Sequence, residues 1–262
     1  MSYALSAVRH AAGGRWLVRD IDLAVRRGRV TVLAGPNGAG KSTALKLLAG
    51  DLRPTSGTVS LNGRPLDAWS AREQAVQRAV LTQDPRLDFP FAVEEVVTLG
   101  RGVHHGRSRR ADDERAIARA MALAGVGPLA GRIHTTLSGG ERQRVQLARV
   151  VAQIADPPED GLDRYLLLDE PTSSLDIAHQ GSVMAAARAL AAEGVGVLAV
   201  LHDLNLAAAF ADDLVVMREG RIVASGAPET VLTAETIGDV YGVPVRVERH
   251  ESLDRMVILP VH

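Results

Sequence analysis

The residues best suited to chemistry in this 262-residue chain form the run Gly35-Pro36-Asn37-Gly38-Ala39-Gly40-Lys41-Ser42, with Thr43 following. Glycines at this spacing let backbone N–H groups wrap a chain of phosphates, the lysine reaches the β and γ oxygens, and the serine hydroxyl can ligate Mg2+. Only two of the 30 basic residues are lysines, Lys41 and Lys46, so the presence of one at this position is telling. A second set lies in "RYLLLDEP", Arg164 to Pro171, an apolar run ending in two acids. Asp169, at the carboxyl end of the run, suits a contact to Mg2+, directly or at one remove. Glu170 points elsewhere and can serve as the general base that polarises a water in line with a γ-phosphate. His202 follows the run "VLAVL", emerges at the same sheet edge and can donate to the γ-phosphate. Gln83 follows "RAVLT"; its amide can touch Mg2+ or the water and report nucleotide state to the segment beyond.

A third set raises a question. Val145, Leu147, Ala148, Val150 and Val151 recur with helical spacing, and the helix they define starts at Ser138-Gly139-Gly140. That start carries no acid, nucleophile or metal ligand. A serine and two bare glycines at a helix N-terminus suit an anion, through open N–H groups and the positive end of the helix dipole. One chain therefore holds two cradles for phosphate.

The elements that must position these groups are legible as short apolar runs. Val30–Ala34, Tyr165–Leu168, Val197–Leu201 and Leu214–Met217 are continuous rather than alternating, which predicts strands buried on both faces of a mainly parallel α/β core. Ala4–Arg9, Trp16–Val25 and Gly57–Leu61 read as half-exposed antiparallel strands, and residues 218–226 as a hairpin. From Pro85 to Gly140 the pattern turns helical, with helices expected over Val93–Leu99 and Asp112–Ala124. The expected organisation is one domain over residues 1–262 with a helical subdomain inserted at about 85–145. "RGVHHGRSRR", Arg101 to Arg110, reads as a solvated loop, with a partner-contacting patch as the second reading.

In that order, the cradle, Gln83, "LSGGE", "LLLDE", "SSLD" (Ser173–Asp176) and His202 resemble the ATP-binding cassette (ABC) ATPases over nearly the whole chain. The resemblance implies a P-loop core with an N-terminal antiparallel part, ATP and Mg2+ as cofactors, and two cassettes paired head to tail. Ser138, Gly139, Gly140 and Glu141 of one would close over the nucleotide held by Lys41 of the other, with Asp176 at the same seam. This answers the question of the second cradle: it serves the other subunit's ATP. The family's adenine-stacking aromatic aligns with His10; Tyr3 or Trp16 can substitute. The segment Asp84–Arg101 and the tail Val240–Pro260 resemble the ATPases of importers of iron chelates, cobalamin and haem, and the long loop before "YLLLDE" together with "LARVVAQI" resembles the haem importers among them. Two permease subunits and a periplasmic haem-binding protein are then the implied partners, at the cytoplasmic face of a bacterial inner membrane. Phe89 and Phe91 are expected to dock the permease, and Val93 and Val97 either to join them or to pack the insert.

Bulk composition sets outer bounds. Thirty basic against 31 acidic residues give a formal charge of −1, which does not favour nucleic acid as a partner. There is no cysteine, so disulfides and thiolate metal sites are excluded. The N-terminus lacks a secretory pattern, and no apolar run approaches the roughly 20 residues of a membrane span, so membrane contact is expected only through the permease. Two other classes stay open: a P-loop small-molecule kinase, in which "LSGGE" and His202 have no use, and a soluble ABC switch, which normally shows a long coiled-coil insert or two cassettes in one chain.

Overall fold

A computed structural model describes residues 2–83, 87–156, 161–173 and 175–261. The chain opens with an antiparallel hairpin, β1 (Ser2–Ala12) and β2 (Arg15–Arg26), followed by the wholly buried β3 (Val30–Ala34). The glycine loop joins β3 to α1 (Lys41–Ala49). β4 (Ser56–Leu61) and the two-residue β5 (Arg64–Pro65) return beside β1, and α2 (Ala71–Gln77) leads into β6 (Arg78–Leu81). Three helices follow: α3 (Val93–Leu99), α4 (Arg110–Leu123) and α5 (Gly139–Gln153). The chain then alternates β7 (Tyr165–Asp169), α6 (Ile177–Ala192), β8 (Gly196–Val200), α7 (Leu204–Phe210) and β9 (Asp213–Arg218). β10 (Arg221–Gly226), α8 (Pro228–Val231), α9 (Ala234–Tyr241) and the hairpin β11 (Val245–His250) and β12 (Arg255–Pro260) complete it.

The main sheet has the order β10-β9-β3-β8-β7-β6, parallel throughout except for the antiparallel edge pair β9–β10. β3, β7 and β8 are buried at every residue, which is why their sequences are continuously apolar. A second sheet, β2-β1-β4-β5, is antiparallel and alternates inward Val18, Ile21, Leu23 and Val25 with exposed neighbours along β2. Because β3, β8, β7 and β6 are adjacent and parallel, their carboxyl ends bring the glycine loop, His202, Asp169–Glu170 and Gln83 to one edge.

Burial corrects one expectation and decides another. Arg101 is not in a solvated loop: its side chain is 3% exposed, donates to Asp113 (2.7 Å), Asp156 (2.6 Å) and the Ala152 carbonyl (2.8 Å), and so clamps α4 to the end of α5. His104 is likewise drawn in, its Nε2 donating to the Gln153 carbonyl at 2.7 Å. The rest of the basic run, Arg107, Arg109 and Arg110, is exposed. Val93 and Val97 are fully buried among the helices, so they pack the insert and cannot line a docking groove.

Candidate functional site

The glycine loop has the backbone its sequence requires. Gly35 (φ 144°) and Gly40 (φ 100°) lie where a side chain is disfavoured. A Cβ on Gly35 would stand 2.2 Å from the Met217 carbonyl oxygen and one on Gly40 2.7 Å from that of Leu17, so neither position has room for one. Gly40 also starts α1 without a side-chain cap, and no acid occupies the first turn, which leaves the helix N–H groups open to an anion. Lys41, 5% exposed, donates to the carbonyls of Gly35 (2.7 Å) and Pro36 (3.0 Å), and burial pushes its pKa down.

The loop encloses a hollow of about 230 Å3 lined by Leu17, Asn37–Thr43 and Glu170. A larger one, about 570 Å3, opens between Gly50, Arg53 and Leu66 and collects no comparable chemistry. At the rim of the smaller hollow Ser42 Oγ donates to Asp169 Oδ1 at 3.2 Å. Burial raises the Asp169 carboxyl above its usual range, against the hydrogen bond from Ser42.

Glu170 is the hub. Its residue takes a positive φ of 49°, uncommon for a side chain of this size, at the point where β7 ends and the chain turns. One carboxylate oxygen accepts from His202 Nε2 at 2.7 Å and the other from Gln83 Nε2 at 2.7 Å, so the acid is held between the ends of two neighbouring strands. A carboxylate accepts only, so His202 carries its proton on Nε2. Gln83 keeps its amide oxygen for another partner. Ser42 and Asp169, whose oxygens meet at the rim of the cradle, are the hard oxygen donors that Mg2+ takes, and the Gln83 amide oxygen at a nearby strand end is of the same kind.

Ser138 caps α5 reciprocally: its hydroxyl accepts from Glu141 N–H at 3.3 Å, and Glu141 accepts from Ser138 N–H at 2.8 Å. The Glu141 carboxyl is held below its usual range, chiefly by that backbone N–H. Gly139 and Gly140 therefore present the open N–H groups, and Glu141 shapes the turn. None of residues 138–141 lines the hollow around Lys41. Asp176 caps α6, accepting from His179 N–H at 2.9 Å and its ring at 2.7 Å.

His10 lies on β1 opposite Val18 with its ring donating to the Arg53 carbonyl at 2.9 Å. Tyr3 cannot stack on a base: it is fully buried, its hydroxyl bonded to the Leu48 carbonyl and its ring against Tyr165. Trp16 lines a separate hollow with Arg9, Arg19, Asp20 and Arg221. Sequence reasoning missed Leu17, which faces the glycine loop; the available signal was an exposed apolar residue directly beside the inward Val18 on β2.

A parallel sheet whose strand ends gather a glycine-lysine loop, paired acids, a glutamine and a histidine defines a P-loop ATPase, and the family model for the ABC transporter matches residues 18–173. The chain belongs to that family and carries its ATP-hydrolysing cassette. It is 52% identical over 249 residues to the hemin import ATP-binding protein HmuV of Gloeobacter violaceus, covering 95% of this chain and 90% of that one. To HmuV of Streptomyces coelicolor it is 47% identical over 257 residues, covering 98% and 89%. Among solved structures, the dimeric ATP-binding cassette MJ0796 bound to ADP and Pi shares the fold with a TM-score of 0.73, at 23% identity over 87% of this chain and 99% of that one.

Proposed function

We propose that this chain is the motor of a haem importer, working as a head-to-tail homodimer beneath two permease subunits at the cytoplasmic face of the inner membrane, with a periplasmic haem-binding protein supplying the cargo. The cargo reading is supported by the two relatives named for hemin import, each matched over nearly the whole chain. The motor reading rests on one observation: a carboxylate aimed by Gln83 and His202 stands at the mouth of the hollow that holds Lys41.

In this reading Gly35–Thr43 cradle the phosphates, and Lys41 turns from the Gly35 and Pro36 carbonyls to the β and γ oxygens. Ser42, Asp169 and Gln83 hold Mg2+, which when bound neutralises charge on those oxygens. Glu170 accepts a proton from the water as its oxygen bonds to the γ phosphorus and the bond to the β-phosphate oxygen breaks. His202, which in the free chain donates its Nε2 proton to Glu170, turns that proton to the γ-phosphate once nucleotide is bound. Ser138, Gly139 and Gly140 of the partner complete the site, and Glu141 and Asp176 shape the seam through their caps. Leu17 gives the cradle an apolar wall beside the base contact aligned at His10. Residues 85–145 act as the lever subdomain.

Uptake by vesicles holding the permease and this subunit tests the assignment. ATP-driven entry of haem is expected, and entry of cobalamin or a ferric siderophore in its place overturns the cargo. Glu170→Gln is expected to bind ATP and form a stable ATP-bound dimer while hydrolysis falls by about 10²–10⁴-fold, the usual contribution of a general base. Near-normal turnover in that variant removes Glu170 from the role.

A further inference from the structure

Glu170 is held by its backbone as well as by its carboxylate, and one of the groups holding it belongs to α5. Gln143 Nε2 donates to the Glu170 main-chain carbonyl at 3.3 Å, alongside Ser173 Oγ at 3.1 Å and Ser173 N–H at 3.3 Å. The Gln143 amide oxygen is buried and has no partner among the described residues, so the hydrogen bond this side chain makes is through its donor end. Gln143 lies four residues beyond Gly139 and three beyond Gly140, on the same face of the helix, one turn beneath the open N–H groups. A single helical turn thus joins the anion-binding tip of α5 to the peptide that aims the acid. That peptide has φ 49°, a conformation that persists only where neighbours hold it.

We propose that Gln143 is a positioning residue that couples the two composite ATP sites: when the tip of α5 closes on the partner's γ-phosphate, Gln143 sets the Glu170 peptide, and with it the carboxylate, in its own subunit's site. Each site then hydrolyses at full rate only when the other is closed. The inference rests on the head-to-tail reading above, and it makes Gln143 act in cis while Ser138 acts in trans.

Mixed dimers of differently tagged full-length chains separate these possibilities. Gln143→Met keeps length and helix propensity but removes the donor. In the homodimer, loss of one buried hydrogen bond is expected to lower kcat by about fivefold with KM for ATP changed by less than about twofold. Paired with a wild-type chain, a subunit carrying both Gln143→Met and Glu170→Gln should match one carrying Glu170→Gln alone, because both lesions fall on one site. With the two substitutions in different chains, turnover should drop by about fivefold, because both sites are then impaired. The reverse pattern, equal losses in both arrangements, or no loss in either overturns the proposal. Gln143→Glu, of the same shape but without a donor, must repeat the result and substitutes if the methionine variant does not fold. Ser138→Arg in place of Gln143→Met strikes the partner's site directly and its own only through the coupling, so it must lower turnover more when it shares a chain with Glu170→Gln than when it lies in the other chain; if it does not, the head-to-tail reading has failed rather than the strut.

Discussion

At the scale of single residues, the site is organised around charges held out of water. Lys41 and Asp169 are each about 95% buried, and burial pushes the lysine down and the aspartate up. Both shifts have the same meaning: the charged form is disfavoured in the folded chain, and phosphates with a cation would relieve it. For Asp169 the folded carboxyl titrates above its unfolded range, so its contribution to stability is full in acid and is lost as pH rises through the raised value. Asp169→Asn should therefore melt higher than wild type at neutral pH without nucleotide, by about 2–4 °C if the relief is about 1 kcal/mol. The difference should shrink as pH falls below the ordinary carboxylate range. The same variant should lose most of the gain in melting temperature that ATP with Mg2+ gives the wild type. Thermal unfolding at several pH values checks this, and a variant that melts lower at neutral pH refutes it.

At the scale of elements, what could be read beforehand was whatever depends on near neighbours in sequence. The parallel strands were legible because burial on both faces leaves an unbroken apolar run, and Asp169, Glu170, His202 and Gln83 were legible because each follows such a run directly. The place of Arg101 was not, since its partners Asp113 and Asp156 are distant in the chain and a basic run looks solvated wherever it falls. Tyr3 was misread as available for stacking for the same reason: Leu48 and Tyr165, which enclose it, lie far along the sequence. Nor does any pattern disclose that Gln143 reaches a main-chain oxygen 27 residues on. The Arg101 clamp gives the element-scale test. Arg101→Leu leaves two partly buried carboxylates and the Ala152 carbonyl without their donor, and breaking a buried ion pair in this way costs about 3 kcal/mol or more. Together with a fall of about 6–12 °C in melting temperature, amide exchange should speed up in α4 and the C-terminal half of α5 while β3 and β7 keep their protection. Unchanged exchange in α4 would show that the clamp does not hold the helices together.

At the scale of the whole molecule, a motor must pass movement at the nucleotide to a surface another protein can grip. The segment after Gln83 is placed for that: Phe91 accepts from His134 N–H at 2.9 Å, Val93 N–H donates to the Arg132 carbonyl at 3.0 Å, and Ala92 bridges Ile133, so the strip before α3 is laced to the strip that leads into Ser138. A shift reaching Phe91 and a shift at the tip of α5 therefore meet at the same short ladder. The apolar side chains there divide by burial. Val93 and Val97 are core and Phe91 packs on it, but Phe89 is 66% exposed and Ile133 38%, both at the start of α3. Exposed apolar residues at this junction are the natural contact for a permease. The first three residues of the expected dock, 84–86, lie outside the described residues, so the test falls on Phe89. Phe89→Ser should leave the melting temperature and the ATPase rate of the isolated subunit within about twofold of wild type, since substitutions of exposed side chains change stability by only about 0.5 kcal/mol. In vesicles with the permease, the same variant should lose most of the transport-coupled increase in ATP hydrolysis and with it haem uptake, and Phe89→Leu should restore part of both. Phe91→Ser should instead lower the melting temperature, because its ring leans on the insert core. If Phe89→Ser transports at the wild-type rate, the permease grips some other surface, and the ladder ties the strip before α3 to the strip before α5 without serving as the dock.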